Sequence, residues 1–130
     1  VMRPGSIRVA GYAAVFDRVD RGGDVVRRGA LARARVVPLL WQHRGAPVGV
    51  IERIGEDAAG LRVVARVEHP AAVTLVRSGA LRGLSIGFRV RAARTGRVRE
   101  LTELELVEVS LVAQPMQPLA TVLRVEEAAA

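Results

Sequence analysis

Period-two alternation of side chains is the feature that most constrains this chain. Residues 6–16 put Ile7, Val9, Gly11, Ala13 and Val15 on one side of an extended segment, with Gly11 a candidate bulge or close-approach point. Residues 61–68 repeat the pattern. Residues 98–113 extend it, with Leu104, Leu106, Glu108, Ser110 and Val112 on one face and Glu103, Glu105, Val107, Val109 and Leu111 on the other. Strands patterned this way must pair and bury a face, so the chain reads as mostly β. Composition agrees: 50% of the residues are hydrophobic but only 3% are aromatic (Tyr12, Phe16, Trp41 and Phe88), so the core is built from Val, Leu, Ile and Ala. Valine favours strands.

Between the strands lie turn signals and a few helical segments. Residues 17–24 form a loop around Gly22-Gly23, and its three aspartates read as a solvated turn rather than a metal loop, since the remaining ligands of a calcium loop are missing. Residues 25–35 contain Gly29-Ala30-Leu31-Ala32-Arg33-Ala34-Arg35, Ala-rich enough to predict a short helix. The apolar run Val36-Val37-Pro38-Leu39-Leu40-Trp41 ends on Gln42 and His43, with Pro38 at a strand start or edge. Arg44-Gly45-Ala46-Pro47 is expected to break the chain before a strand over residues 48–54, which pairs with 61–68 as a hairpin. Apolar spacing over residues 71–81, with Gly79 near the end, predicts a helix. An extended run over 84–92 follows, then a turn at Arg94-Thr95-Gly96-Arg97 and the long strand, with a break expected near 103–105 and a short closing element over 119–125. The expectation is about six or seven strands with two or three short helices in one domain, residues 1–130, of which 6–125 form the ordered core. A chain of 130 residues buries about two-thirds of the surface its unfolded form exposes.

The net charge is +7, and all 20 basic residues other than histidine are arginine. Such a surplus favours anionic partners, but the arginines are dispersed and have no interleaved aromatics on which bases could stack. Nucleic acid is therefore not the expected partner. The absence of cysteine excludes a disulfide framework, a thiol nucleophile and a Cys-ligated zinc site. No apolar run reaches the ~18 to 20 residues of a membrane span, which sets the expectation of a cytoplasmic protein without membrane contact. No metal or cofactor is called for.

The stretch that carries chemistry is Gly79-Ala80-Leu81-Arg82-Gly83-Leu84-Ser85-Ile86-Gly87-Phe88. A lone serine stands there in an apolar run between glycines that remove bulk on either side. The letters fit a GxSxG elbow, but a strand rather than a helix follows, so the context does not. A serine hydroxyl needs a base, and histidine is the usual one; His43 and His69 are available. A third group, normally a carboxylate, orients the histidine. Glu108 interrupts the apolar strand Leu106-Val107-Glu108-Val109-Ser110-Leu111-Val112, where a buried carboxylate needs a partner.

The ordered set Val37-Pro38-Leu39-Leu40-Trp41-Gln42-His43, then the serine stretch, then Glu105-Leu106-Val107-Glu108-Val109-Ser110-Leu111-Val112 followed by Pro115-Met116, resembles the prohead (procapsid maturation) proteases of tailed phages. Residues 24–31, with Gly29-Ala30-Leu31, resemble an early block of that family, and the likeness spans roughly residues 7–125. The resemblance implies an assemblin-like fold, a small closed or partly open β-barrel flanked by helices. It also implies a serine endopeptidase that cuts the scaffold segment of the major capsid protein precursor, and itself, inside the assembling prohead of a bacterial host. A homo-oligomer, such as a dimer, is expected with it. Carried onto this chain, the family's catalytic residues match His43, Ser85 and Glu108, with Glu105 the fallback for the acid; His69 does not fit the order. Backbone amides near Ser85, at Gly83 and Gly87 or in the 91–96 loop, are candidate oxyanion donors. The alternative is a non-catalytic β-barrel module for capsid assembly or binding, and a basic nucleic-acid-binding domain ranks third.

Overall fold

A computed structural model describes residues 3–127. The first strand, β1 (Ile7–Val15), buries alternate side chains from Ile7 to Ala13, but a register shift against a neighbouring strand between Tyr12 and Ala14 buries Ala14 as well and turns Val15 out of the expected face. It is followed by β2 (Asp24–Val26), β3 (Leu39–Trp41), β4 (Arg44–Glu56), β5 (Gly60–Val67), the helix α1 (Pro70–Ser78), β6 (Gly83–Thr95), β7 (Arg99–Val112) and β8 (Val122–Glu127). All eight strands belong to one sheet, ordered β2-β7-β3-β4-β5-β1-β8, with β6 added along β7. Between them lies an aliphatic core that includes the fully buried Ile7, Leu31, Leu39, Leu61, Leu84, Leu101 and Leu111.

Strand β7 organises the site. It pairs along its whole length with β6, antiparallel, so that Ser85 faces Ser110 and Gly87 faces Glu108. Its other edge takes β3 in parallel, with Leu40 beside Ser110 and Trp41 beside Leu111, and β2 in parallel further along. Both edges are occupied there, and residues 109–112 are buried without interruption, so the alternation gives way to a continuous core run.

Several expectations need correction. Among the described residues there are eight strands rather than six or seven, and one helix rather than two or three. The Ala-rich segment is a string of turns. Gly29 has φ +91°, outside any right-handed helix, and the Gly29 and Leu31 amides donate to the Glu56 carboxylate at 3.0 and 2.8 Å. These bonds tie the segment to β4 and bury Leu31. The break expected at 44–47 is strand, because the reversal occurs two residues earlier, at Gln42 and His43. Strand β7 runs through 103–105 without ending, and the irregularity there takes the form of register shifts that leave Val107 and Thr102 of β7 and Arg91 of β6 without a partner across the ladder. The closing element is β8.

The sheet is open, not a closed barrel. One isolated bridge, Gly83 to Thr121, brings the start of β6 to the chain entering β8, supported by the Leu84 amide donating to Ala120 O at 2.9 Å and the Val122 amide to Arg82 O at 2.8 Å. The segment leading there carries Pro115 and Pro118 and forms turns, so no continuous ladder develops.

Gly11 is a point of close approach, as its place in the alternating run suggests. A Cβ there would stand 2.2 Å from Thr121 O, at a register shift between β1 and β8. Gly11→Ala is expected to destabilise the fold by about 1–3 kcal/mol through overpacking. The check is a lowered urea midpoint with an unchanged slope.

Candidate active site

The three residues singled out from the sequence come from separate elements. Ser85 lies on β6 among Leu84, Ile86 and Phe88, and is 9% exposed. Directly across the ladder stands Ser110, so Glu108 is its diagonal neighbour on the same face of the sheet. Such diagonals separate side chains by about 7–8 Å.

His43 supplies the imidazole. Trp41 pairs with Arg44, so Gln42 and His43 form a two-residue hairpin loop between β3 and β4. Both have positive φ, 52° and 62°, as the type I′ turn of a tight hairpin demands, although that turn normally uses Asn-Gly. Left-handed conformations of non-glycine residues cost about 1–3 kcal/mol each and persist only where the surroundings over-determine them. Here the tethers are three. The Gln42 amide donates to Leu111 O at 2.9 Å, the Gln42 Oε1 accepts from the Ala113 amide at 2.8 Å, and the His43 amide donates to Ser110 Oγ at 3.0 Å. All three end on β7 or the residue after it.

So held, His43 turns its Nδ1 onto Glu108 Oε1 in a hydrogen bond. The carboxylate is buried and the imidazole is not: the side chains are 11% and 43% exposed. The second carboxylate oxygen, Oε2, accepts from the Ser110 hydroxyl at 2.7 Å. A carboxylate buried in a strand is tolerated only when its oxygens are paired, and both are. Space for it comes from the opposite strand, because a Cβ on Gly87 would lie 2.3 Å from Glu108 Oε1. Gly83 likewise leaves room for the ring of Pro115. Both glycines keep bulk away from filled space.

The backbone restricts where oxyanion donors are to be sought. Leu84 directs its amide outward to Ala120, so alternation turns the amides of Gly83 and Ser85 inward to β7. The 91–96 segment, expected as a loop, is strand through Thr95. At about 3.3 Å per residue Arg91 stands about 20 Å along β6 from Ser85, out of reach.

The other candidates fall elsewhere. Glu105 is engaged by Arg89 at 3.4 Å and by Arg91. His69 sits at the start of α1 with its ring edge-on to Trp41, centroids 5.9 Å apart. Ser85 and His43 instead line one cavity of about 210 Å³, walled by Ala13, Leu84, Ile86 and Phe88 and bordered by Arg18 and Met116. Sequence reasoning missed Ser110 and Gln42 as parts of this site. Ser110 does stand two residues from Glu108 on the same face, a signal in the sequence that could have found it.

A histidine backed by a buried carboxylate, beside a serine in a cleft, can support nucleophilic acyl transfer. Comparison with known proteins bears on the same chemistry. Over 92 residues the chain is 34% identical to the prohead protease of Enterobacteria phage HK97, covering 62% of this chain and 41% of that protein. Over 127 residues it is 27% identical to the prohead protease of Escherichia phage T5, covering 87% and 60%. The chain thus spans less than two-thirds of either relative. Among solved structures, a KSHV protease in complex with a hexapeptide phosphonate inhibitor matches 95% of this chain and 66% of its own, with TM-score 0.66 and 14% identity. The capsid assembly protease of bacteriophage T4 matches 81% and 80%, with TM-score 0.64 and 15% identity. These two likenesses establish an assemblin-like fold. The family model described as caudovirus prohead serine protease matches residues 3–130, and the chain therefore belongs to that family.

Proposed function

We propose that this chain is a serine endopeptidase of prohead maturation, which cleaves the scaffold segment of a capsid protein precursor inside the assembling shell. The observation that carries the reading is the contact between His43 Nδ1 and the buried Glu108 carboxylate, beside Ser85 in one cleft. Family membership supplies the substrate class. In this mechanism Glu108 accepts the Nδ1 proton's hydrogen bond, which leaves Nε2 as the free base. Nε2 takes the proton of Ser85 as Oγ bonds to the substrate carbonyl carbon. The same proton is then given to the leaving amine as the peptide bond breaks. Water, deprotonated by His43, hydrolyses the acyl-enzyme and restores Ser85.

The cleft has an apolar wall of Ala13, Leu84, Ile86 and Phe88 and a polar border that includes Arg18, Asp20 and Gln117, so it offers a substrate segment both kinds of contact. The arginine surplus does not make a nucleic-acid surface the better reading. Arg8, Arg27, Arg77 and Arg99 are each paired with an acidic side chain of the same chain. No helix among the described residues is long and apolar enough to cross a membrane.

Coexpression with a scaffold-bearing capsid precursor, followed by intact mass, tests the proposal. Ser85→Ala is expected to abolish processing, and His43→Ala to slow it on the order of 10³-fold or more. Processing by Ser85→Ala at the wild-type rate would favour a non-catalytic assembly module. Gly87→Ala should behave as a site variant although it replaces none of the three residues, because its methyl would displace the Glu108 carboxylate. Processing is expected to fall on the order of 10²-fold, and circular dichroism should show the strands retained.

A further inference from the structure

We propose that Ser110 is a positioning residue of this site, one whose hydroxyl couples the backbone of His43 to the carboxylate of Glu108. The inference rests on the protease reading above and deepens it. Ser110 is completely buried. Its Oγ accepts the His43 amide at 3.0 Å and donates to Glu108 Oε2 at 2.7 Å. A hydroxyl has one proton to give and lone pairs to accept with, so a single oxygen bonds the two partners in opposite senses.

The direction of the two bonds matters. Because the proton goes to Glu108, the carboxylate is held in the rotamer that presents Oε1 to His43 Nδ1. Because the lone pair takes the His43 amide, the left-handed turn is pinned at the residue that carries the imidazole. The Gln42 tethers hold the same turn but touch neither Glu108 nor the His43 amide. Ser110 is thus the one described contact that fixes base and acid relative to each other from behind. It also faces Ser85 across the ladder, so all three catalytic candidates are referenced to one residue.

The test uses a fluorophosphonate probe, whose labelling of Ser85 needs no identified peptide substrate, at the highest attainable protein concentration. Wild type, Ser110→Ala, Glu108→Ala and the double variant are compared, with the maximal labelling rate separated from the probe's half-saturating concentration. Ser110→Ala is expected to lower the maximal rate by about 10- to 100-fold, with half-saturation changed less than about twofold. In the Glu108→Ala background the same change should cost less than about threefold, since residues acting as one unit are non-additive. A Ser110→Ala protein labelled at the wild-type rate, or losses that multiply in the double variant, would overturn the proposal while leaving the protease reading intact. Failure of wild type to label at Ser85 would overturn the reading and the proposal together. Should Ser110→Ala alone not fold, recovery of folding in the double variant supports the coupling, because the orphaned carboxylate is then gone; a double variant that also fails assigns Ser110 to packing.

Discussion

A carboxylate in the middle of a buried strand is the constraint on which the rest of this structure depends. Glu108 interrupts an apolar run, and an unpaired charge there would cost several kcal/mol. The fold meets that cost with two partners and a gap. His43 takes one oxygen, Ser110 the other, and Gly87 leaves the space that a methyl group would fill. Removing any one of the three unbalances the same carboxylate. The arrangement that makes Glu108 tolerable in the core is also the one that orients the imidazole.

The sheet topology exists around that point. Residues 43, 85 and 108 are far apart in sequence and meet because β7 is paired on both edges, by β6 carrying Ser85 and by β3 leading into His43. Parallel pairing of β3 with β7 requires a long connection, and β4, β5, α1 and β6 lie between the two in the chain. A strained hairpin loop completes the set. Gln42 and His43 adopt a conformation their own sequence does not favour, and three hydrogen bonds to β7 and its end enforce it.

How much of this was legible beforehand follows from where the forces are local. Alternation located β1, β5 and β7, and the apolar spacing with Gly79 located α1, because these patterns reflect burial on one face. The misfit of Glu108, and the order His43, Ser85, Glu108, pointed to the site and to the family. What depended on contacts distant in sequence was not readable. Residues 29–35 have helix-favouring alanines, yet Gly29 and the Glu56 carboxylate make them turns. The reversal at Gln42-His43 lacks the Asn-Gly signature of its turn type, so the break was expected instead at the Gly45 and Pro47 beyond it. Closure of the barrel failed for a similar reason, since prolines between β7 and β8 limit the meeting of the edges to one bridge. Ser110 read as one more residue of a strand face until its partner's backbone was in place.

The central claim is that Glu108 holds His43 by its Nδ1 before any substrate arrives. Proton NMR of the free protein addresses it most directly. The account predicts one exchange-protected, far-downfield imidazole N–H resonance, assigned through ¹⁵N-labelled histidine to His43 Nδ1, and its loss in a folded Glu108→Ala variant. A His43 Nδ1 that exchanges freely with water in the wild type, or a resonance unmoved by Glu108→Ala, would contradict it.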